Sequence, residues 1–269
     1  MNRKEAILKR SIELKRRVRA IKFVLSFGAV IFSILAVLIV LNVPALRLSR
    51  VTVDGTRTVS EEEISRAVLE VLRGSYIYLV PHSNVFFYPR ERVRITTQAV
   101  SPRIKDVRLR AYGYKTLVVQ VKERTPVALW CTSGMGSTTP TCVLLDDWGF
   151  AFSIAPYTNG SAYLLFSTSH TKPVIGSSIM EEGAFAALHT FARSFPIHIV
   201  SVVVDAERYT LKTREGYDIL VNPRIPFDVT RRSVLAALES EALTPSARSG
   251  KVLQYLDVRV LGKVFYKLD

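Results

Sequence analysis

Residues 23–43 carry no charge over 21 positions and are interrupted only by Ser26, Gly28, Ser33 and Asn42. As a helix rising about 1.5 Å per residue, such a run spans a hydrocarbon core of about 30 Å. It reads as a transmembrane helix, and the rest of the chain must fold on one side of a membrane. A cleaved signal peptide is the rival reading, since Val43-Pro44-Ala45 loosely resembles a cleavage site. Against it, the apolar region exceeds the ~7 to 15 residues of a signal, and the head before it is long. That head, residues 1–22, holds nine Lys or Arg against two Glu, a net of +7 out of +14 for the whole chain. Lys9, Arg10, Lys15, Arg16, Arg17, Arg19 and Lys22 outweigh Arg47, Arg50 and Arg57 on the other flank. The positive-inside rule places the head in the cytoplasm and residues 44–269 outside. Topology accounts for the charge, so a nucleic-acid arm is not required.

With 269 residues, 48% of them hydrophobic, the chain has room for one large or two small domains with real cores. The joint between two such domains is legible. Leu117, Val119 and Val121 alternate with Val118, Gln120 and Lys122, and the apolar run restarts at Val127 after Arg124-Thr125-Pro126. The period of two predicts strands on both sides. Pro126 donates no backbone hydrogen bond, so it suits a place where one sheet ends and another begins. Glu123 and Arg124 read as structural residues that fix the angle between the modules.

Upstream of the joint, a short strand at 51–53 closes at Asp54-Gly55. Ser60 and Glu63 form a capping box for a helix whose Ile64, Ala67, Val68, Val71 and Leu72 share a face, stopped by Gly74. Residues 75–88 are apolar but irregular, and Pro89 suits the first turn of a second helix to about residue 100. Strands at 107–112 and 117–122 follow, joined by Gly113-Tyr114-Lys115. Downstream, residues 132–141 form a flexible loop by composition, and 143–145 with 150–154 flank the turn Asp146-Asp147-Trp148-Gly149. Ser178 and Glu181 form a capping box for a helix bearing Phe185, Leu188, Ala192 and Phe195, ended by Pro196. Strands are expected at 199–204, 209–213 and 217–221. Asp228 is expected to cap a last helix, closed by Pro245, before strands at 253–260 and 264–267.

Few residues suggest chemistry. Cys131 and Cys142 lie eleven positions apart and fit no zinc spacing; they read as a hairpin disulfide or as two inert thiols. A membrane-anchored thiol transpeptidase of the sortase type is the sharpest enzymatic candidate, with Cys142 preceded by Thr139-Pro140-Thr141 and His82 upstream. It lacks the arginine that should follow the cysteine, because no Arg or Lys occurs between Cys142 and Lys172. His170, His189 and His198 show no metal spacing, and Gly134-x-Gly136 lacks the helix and lysine of a phosphate loop. Asp146 and Asp147 read as turn formers. No catalytic residue, cofactor or metal site is expected.

The order of these features carries a resemblance. A basic head, one membrane helix, Val51-x-Val53-x-Gly55, and a two-helix unit ending in Val119-x-Val121-x-Glu123-Arg124-x-Pro126-Val127-Ala128 resemble the FtsQ/DivIB family of bacterial division proteins. Leu145-Asp146-x-x-Gly149-x-x-Phe152 is similar to the family's next hairpin, and Tyr255-Leu256-Asp257-Val258-Arg259 to its Tyr-Ile-Asp-Leu-Arg strand. The likeness covers about 20–269. Departures are Val258 in place of the usual leucine, a short Leu261-Gly262-Lys263 turn and the cysteine-bounded loop.

The resemblance implies an α+β architecture. A cytoplasmic head (1–22) and a transmembrane helix (23–43) precede a POTRA domain (46–124, β-α-α-β-β) and a mixed β domain with two helices (125–269). It implies a non-enzymatic scaffold of the divisome, in the inner membrane at the septum. Its partners would be bitopic FtsB- and FtsL-like proteins and, indirectly, the septal peptidoglycan synthases, with no nucleic acid and no small-molecule substrate. In the family the partner adds a strand to the C-terminal β region and an arginine makes a charge contact. On this chain those roles fall to Arg259 and to Val264, Phe265, Tyr266 and Lys267. A terminal strand without a tail would offer unpaired backbone groups for another chain to complete. A POTRA chaperone of outer-membrane assembly fits less well, because one spanning segment leaves no length for a barrel.

Overall fold

The computed structural model describes residues 3–132, 141–155, 163–168, 172–243 and 250–269. It is a mixed α+β structure, with five α-helices and one large mixed sheet among the described residues. Contacts divide the chain into two compact units, Met1–Lys122 and Glu123–Asp269.

The first unit begins with α1 (Arg3–Leu41), whose segment Ile21–Leu41 is long and apolar enough to cross a membrane. The helix stops two residues before the end of the apolar run. Val43 precedes Pro44 and takes an extended backbone, φ −60° and ψ 128°, as steric crowding by the proline ring demands. A 3-10 turn (Pro44–Leu46) leads to β1 (Arg50–Asp54) and then to α2 (Glu61–Leu72). Ser60 accepts the Glu63 amide at 3.4 Å, which supplies one half of the expected capping box. The stretch expected to be irregular contains a small ladder, β2 (Ser75–Tyr76) with β3 (Val80–Pro81). Then come α3 (Arg90–Val100), β4 (Ile104–Tyr112) and β5 (Thr116–Glu123).

The order β1-β5-β4 makes a three-stranded sheet in which β1 runs parallel to β5, with Val53 opposite Val119. Ile64, Val68 and Leu72 of α2, Val93 of α3, and Leu117, Val119 and Val121 of β5 are all buried in one cluster. Gly55 shows why the turn after β1 excludes a side chain. Its φ is +90°, and a Cβ would lie 2.3 Å from the Val121 carbonyl oxygen.

In the second unit, β6 (Ala128–Cys131), β7 (Cys142–Leu145), β8 (Ala151–Ala155) and β9 (Leu164–Thr168) precede α4 (Glu182–Arg193). After these come β10 (Ile199–Val204), β11 (Tyr209–Thr213), β12 (Asp218–Val221), α5 (Phe227–Glu239), β13 (Leu253–Val260) and β14 (Lys263–Leu268). All nine strands belong to one sheet in the order β14-β13-β12-β11-β10-β9-β6-β7-β8. The β6–β9, β9–β10 and β12–β13 pairs are parallel. Phe185 and Leu188 of α4 and Val234 of α5 are buried in one cluster with Phe166, Val202, Leu211, Ile219 and Leu256 of the sheet.

Both helix starts differ from the sequence reading. Glu181, not Ser178, is the N-cap of α4; Ser178 instead forms a bridge with Phe150. Pro226 is the N-cap of α5, and Asp228 sits in its first turn, where it pairs with Arg232 at 3.1 Å. Helix α4 ends at Arg193, before Pro196 is reached. Pro245, His170, Gly134 and Gly136 lie outside the described residues.

Candidate functional site

Strand β14 occupies one end of the nine-stranded sheet. It pairs antiparallel with β13, and no strand lies beyond it among the described residues. Its other edge therefore presents backbone donors and acceptors that a further strand can complete. The register places Tyr266 opposite Leu256, Phe265 opposite Asp257, and Lys267 opposite Tyr255. Side chains alternate in consequence. Val264 and Leu268 pack partly buried against the core cluster, whereas Phe265 is 51% and Tyr266 44% exposed and Lys263 and Lys267 are exposed. Of the four strand residues singled out from the sequence, Val264 thus supports the fold, while Phe265, Tyr266 and Lys267 are exposed, Tyr266 on the face it shares with Val264 and Leu268 and the other two on the opposite face.

Arg259 is engaged within its own strand. Two positions along β13 from Asp257, it donates to that carboxylate through Nε at 2.9 Å and through a terminal nitrogen at 2.6 Å. Residues two apart on a strand share a face, which brings the guanidinium onto the carboxylate for a bidentate pair, at a point where the β13–β14 register shifts between Asp257 and Val260. The Arg259 guanidinium holds the Asp257 carboxyl below the usual carboxylate range, and the carboxylate in turn raises Arg259. Arg259 also borders a cavity of about 430 Å³ lined by Asp205, Ala206, Glu207 and Arg208 of the β10–β11 turn. Any anion that recruits Arg259 must compete with Asp257. The resemblance points to the arginine alone, yet opposite charges at i and i+2 of a strand are a visible signal of its carboxylate partner.

Cys131 and Cys142 are directly opposed on β6 and β7 and are joined by a disulfide. Cys142 is fully buried, so no thiolate is available there as a nucleophile in this state. His82 lies elsewhere, in the first unit, with its Nδ1 3.1 Å from the Val71 carbonyl oxygen. His189 sits on α4, its ring 5.9 Å from that of Phe185; burial pushes it below the usual imidazole value, helped by Arg193 and opposed by a hydrogen bond to the Val127 backbone. No group of three or more His, Cys, Asp or Glu residues is arranged to hold a metal ion among the described residues.

Arg124 pairs with the buried carboxylate of Asp146, and its guanidinium lies 4.1 Å from the centre of the Phe150 ring. Both neighbours belong to the second unit. Neither a family model nor a curated protein matches the chain.

Proposed function

We propose that this chain is a single-pass membrane scaffold of the FtsQ/DivIB type. In this reading the N-terminal head is cytoplasmic, both folded units lie outside, and β14 captures a segment of an FtsB- or FtsL-like bitopic partner as a tenth strand of the sheet. The protein organises septal peptidoglycan synthesis through its partners and performs no reaction itself. The observation that carries this reading is the open outer edge of β14, with Phe265 and Tyr266 exposed beside it. Strand addition needs such an edge, and exposed aromatic side chains supply the contacts that select one peptide over another.

Other features are consistent with the same reading. The order β1-α2-α3-β4-β5 around a three-stranded sheet supports a POTRA assignment for residues 46–124. Retention of α1 as an anchor is supported by its C-terminal end, which the fold itself satisfies. Asn84, fully buried, donates to the Leu41 carbonyl at 2.7 Å, and Arg47 donates to the Asn42 carbonyl at 3.0 Å. Cleavage near Ala45 would strip Asn84 of that partner, and leaving a buried amide without one is costly.

The test is capture of a peptide covering the extracytoplasmic segment of the cognate FtsB-like protein. Phe265→Pro removes a backbone donor from β14, and Arg259→Glu reverses the charge at the end of β13. Each is expected to weaken capture by about tenfold or more while thermal unfolding of the first unit is unchanged. Capture that is unaffected by both substitutions would sink the site.

A further inference from the structure

Between Arg73 and Arg90 the chain holds no Asp, Glu, Lys or Arg, and this stretch contains the β2–β3 hairpin. The hairpin turn is closed by the Leu79 amide donating to the Tyr76 carbonyl at 2.9 Å. Its two central residues, Ile77 and Tyr78, have φ of +48° and +60°. Tight hairpins of this kind favour Asn-Gly, and a β-branched residue at positive φ is strained. The two strained side chains are nevertheless the most exposed apolar groups of the hairpin, Ile77 at 85% and Tyr78 at 98%. Leu79, next in the chain, and Phe86 and Phe87, further along the same uncharged stretch, are each more than half exposed.

This apolar tip is held firmly at the end of α1. Asn42, the first residue past the helix, donates from Nδ2 to the Leu79 carbonyl at 2.8 Å and to the Leu38 carbonyl at 2.9 Å. Asn84 caps the Leu41 carbonyl, and its Oδ1 accepts the Phe86 amide at 2.9 Å. Leu48 donates to the Ser83 carbonyl at 2.7 Å and Val85 to the Leu46 carbonyl at 3.0 Å, closing the segment against the linker. The stem is packed by Tyr76 edge-on to His82, ring centres 4.4 Å apart. The β4–β5 turn meets the chain where the linker enters β1. Lys115 accepts the Ser49 and Arg50 amides, and Tyr112 and Tyr114 beside it are 76% and 59% exposed. Tyrosines and basic residues placed where a spanning helix leaves the hydrocarbon are the usual anchors of a membrane interface.

We propose that Ile77 and Tyr78, with Phe86 and Phe87, insert into the interfacial layer of the same bilayer that α1 crosses. The proposal rests on α1 being retained as a membrane span. Insertion to a depth of about 5–10 Å removes the apolar tip from water and gives the strained turn a purpose. It seats the first unit on the membrane at a fixed height, and the bonds between residues 42–50 and the unit carry that height from α1 to the fold. The bilayer is the occupant that the geometry favours, because the side chain of the first residue past α1 is bonded to the residue that follows the tip.

The full chain in lipid nanodiscs, without any partner, tests this. Because both native cysteines are bonded to each other, Tyr78→Cys or Leu79→Cys can be labelled singly with an environment-sensitive fluorophore. Asp54→Cys, at the far end of β1, is the reference site. Both hairpin labels are expected to emit at shorter wavelength, and lipids bearing a nitroxide near the headgroup should quench them several-fold more than the label at 54. Leu79→Cys leaves Ile77 and Tyr78 in place and so guards against loss of the tip itself. If alkaline carbonate extracts the chain, both the membrane reading and this inference fail. If the chain resists extraction but the hairpin labels are quenched no more than the reference, the inference alone is overturned. Shielding that appears only when a bitopic partner is added overturns it too, and makes the tip a protein surface.

Discussion

One carboxylate, that of Asp146, ties three parts of the second unit together. Its Oδ1 accepts the Trp148 amide at 2.9 Å and the Phe150 amide at 3.0 Å, and the other oxygen meets Arg124. Asp146 is fully buried, whereas its neighbour Asp147 is exposed. Adjacent residues pointing to opposite sides explain how identical side chains acquire opposite roles. The sequence supports the turn-forming part of this, because an Asp that accepts amides two and four residues ahead is a common turn device. The ion pair with Arg124 is not legible, since nothing local relates two positions that lie 22 apart. Asp146→Ala removes the amide acceptors and the carboxylate facing Arg124 together. It is expected to destabilise the second unit by about 3–5 kcal/mol, the range for breaking one side of a buried pair. Urea unfolding followed through Trp130, buried in the same unit, measures it.

Among the elements, the cross-strand disulfide and β14 illustrate what periodicity can and cannot reveal. Residues on β5, with burial alternating along Leu117, Val119 and Val121, announce a strand because one face meets the core and the other meets water. All four residues of β6 are buried, so its apolar run marks a strand without saying which faces are covered. The starts of α4 and α5 are not legible from Ser178 and Asp228, because a Ser or Asp near a helix start is no cap until its side chain reaches an amide. The β2–β3 ladder carries no sequence signal, because Ile-Tyr stands where turn chemistry predicts Asn-Gly. For Cys131 and Cys142, spacing left two readings open, and the register that sets them opposite each other supplies what spacing lacked. Closing a loop of this length is expected to stabilise the unit by about 3 kcal/mol. Cys131→Ser/Cys142→Ser, or reduction, should shift the urea midpoint accordingly. A shift confined to the first unit would contradict the assignment.

At the scale of the molecule, the sequence supports one spanning helix and an α+β chain, and the structure contains both an apolar helix of that length and a large mixed sheet. What the sequence could not supply was strand order. Three parallel pairings bring β6 beside β9, β9 beside β10, and β12 beside β13, and no local pattern encodes which strand becomes an edge. The candidate site was therefore only partly legible: the resemblance pointed to Arg259 and residues 264–267, and the sheet order supplies the reason β14 is accessible. The most direct test of the scaffold reading is photo-crosslinking in living cells, from an unnatural side chain placed in turn at Phe265 and Tyr266 of the full chain. Ile154, exposed on β8 at the opposite end of the sheet, serves as the control position. The account predicts adducts from 265 and 266 with a single-pass membrane protein of the FtsB or FtsL type, lost on Arg259→Glu and absent from 154. Equal labelling from all three positions, or no bitopic protein among the adducts from β14, would contradict it.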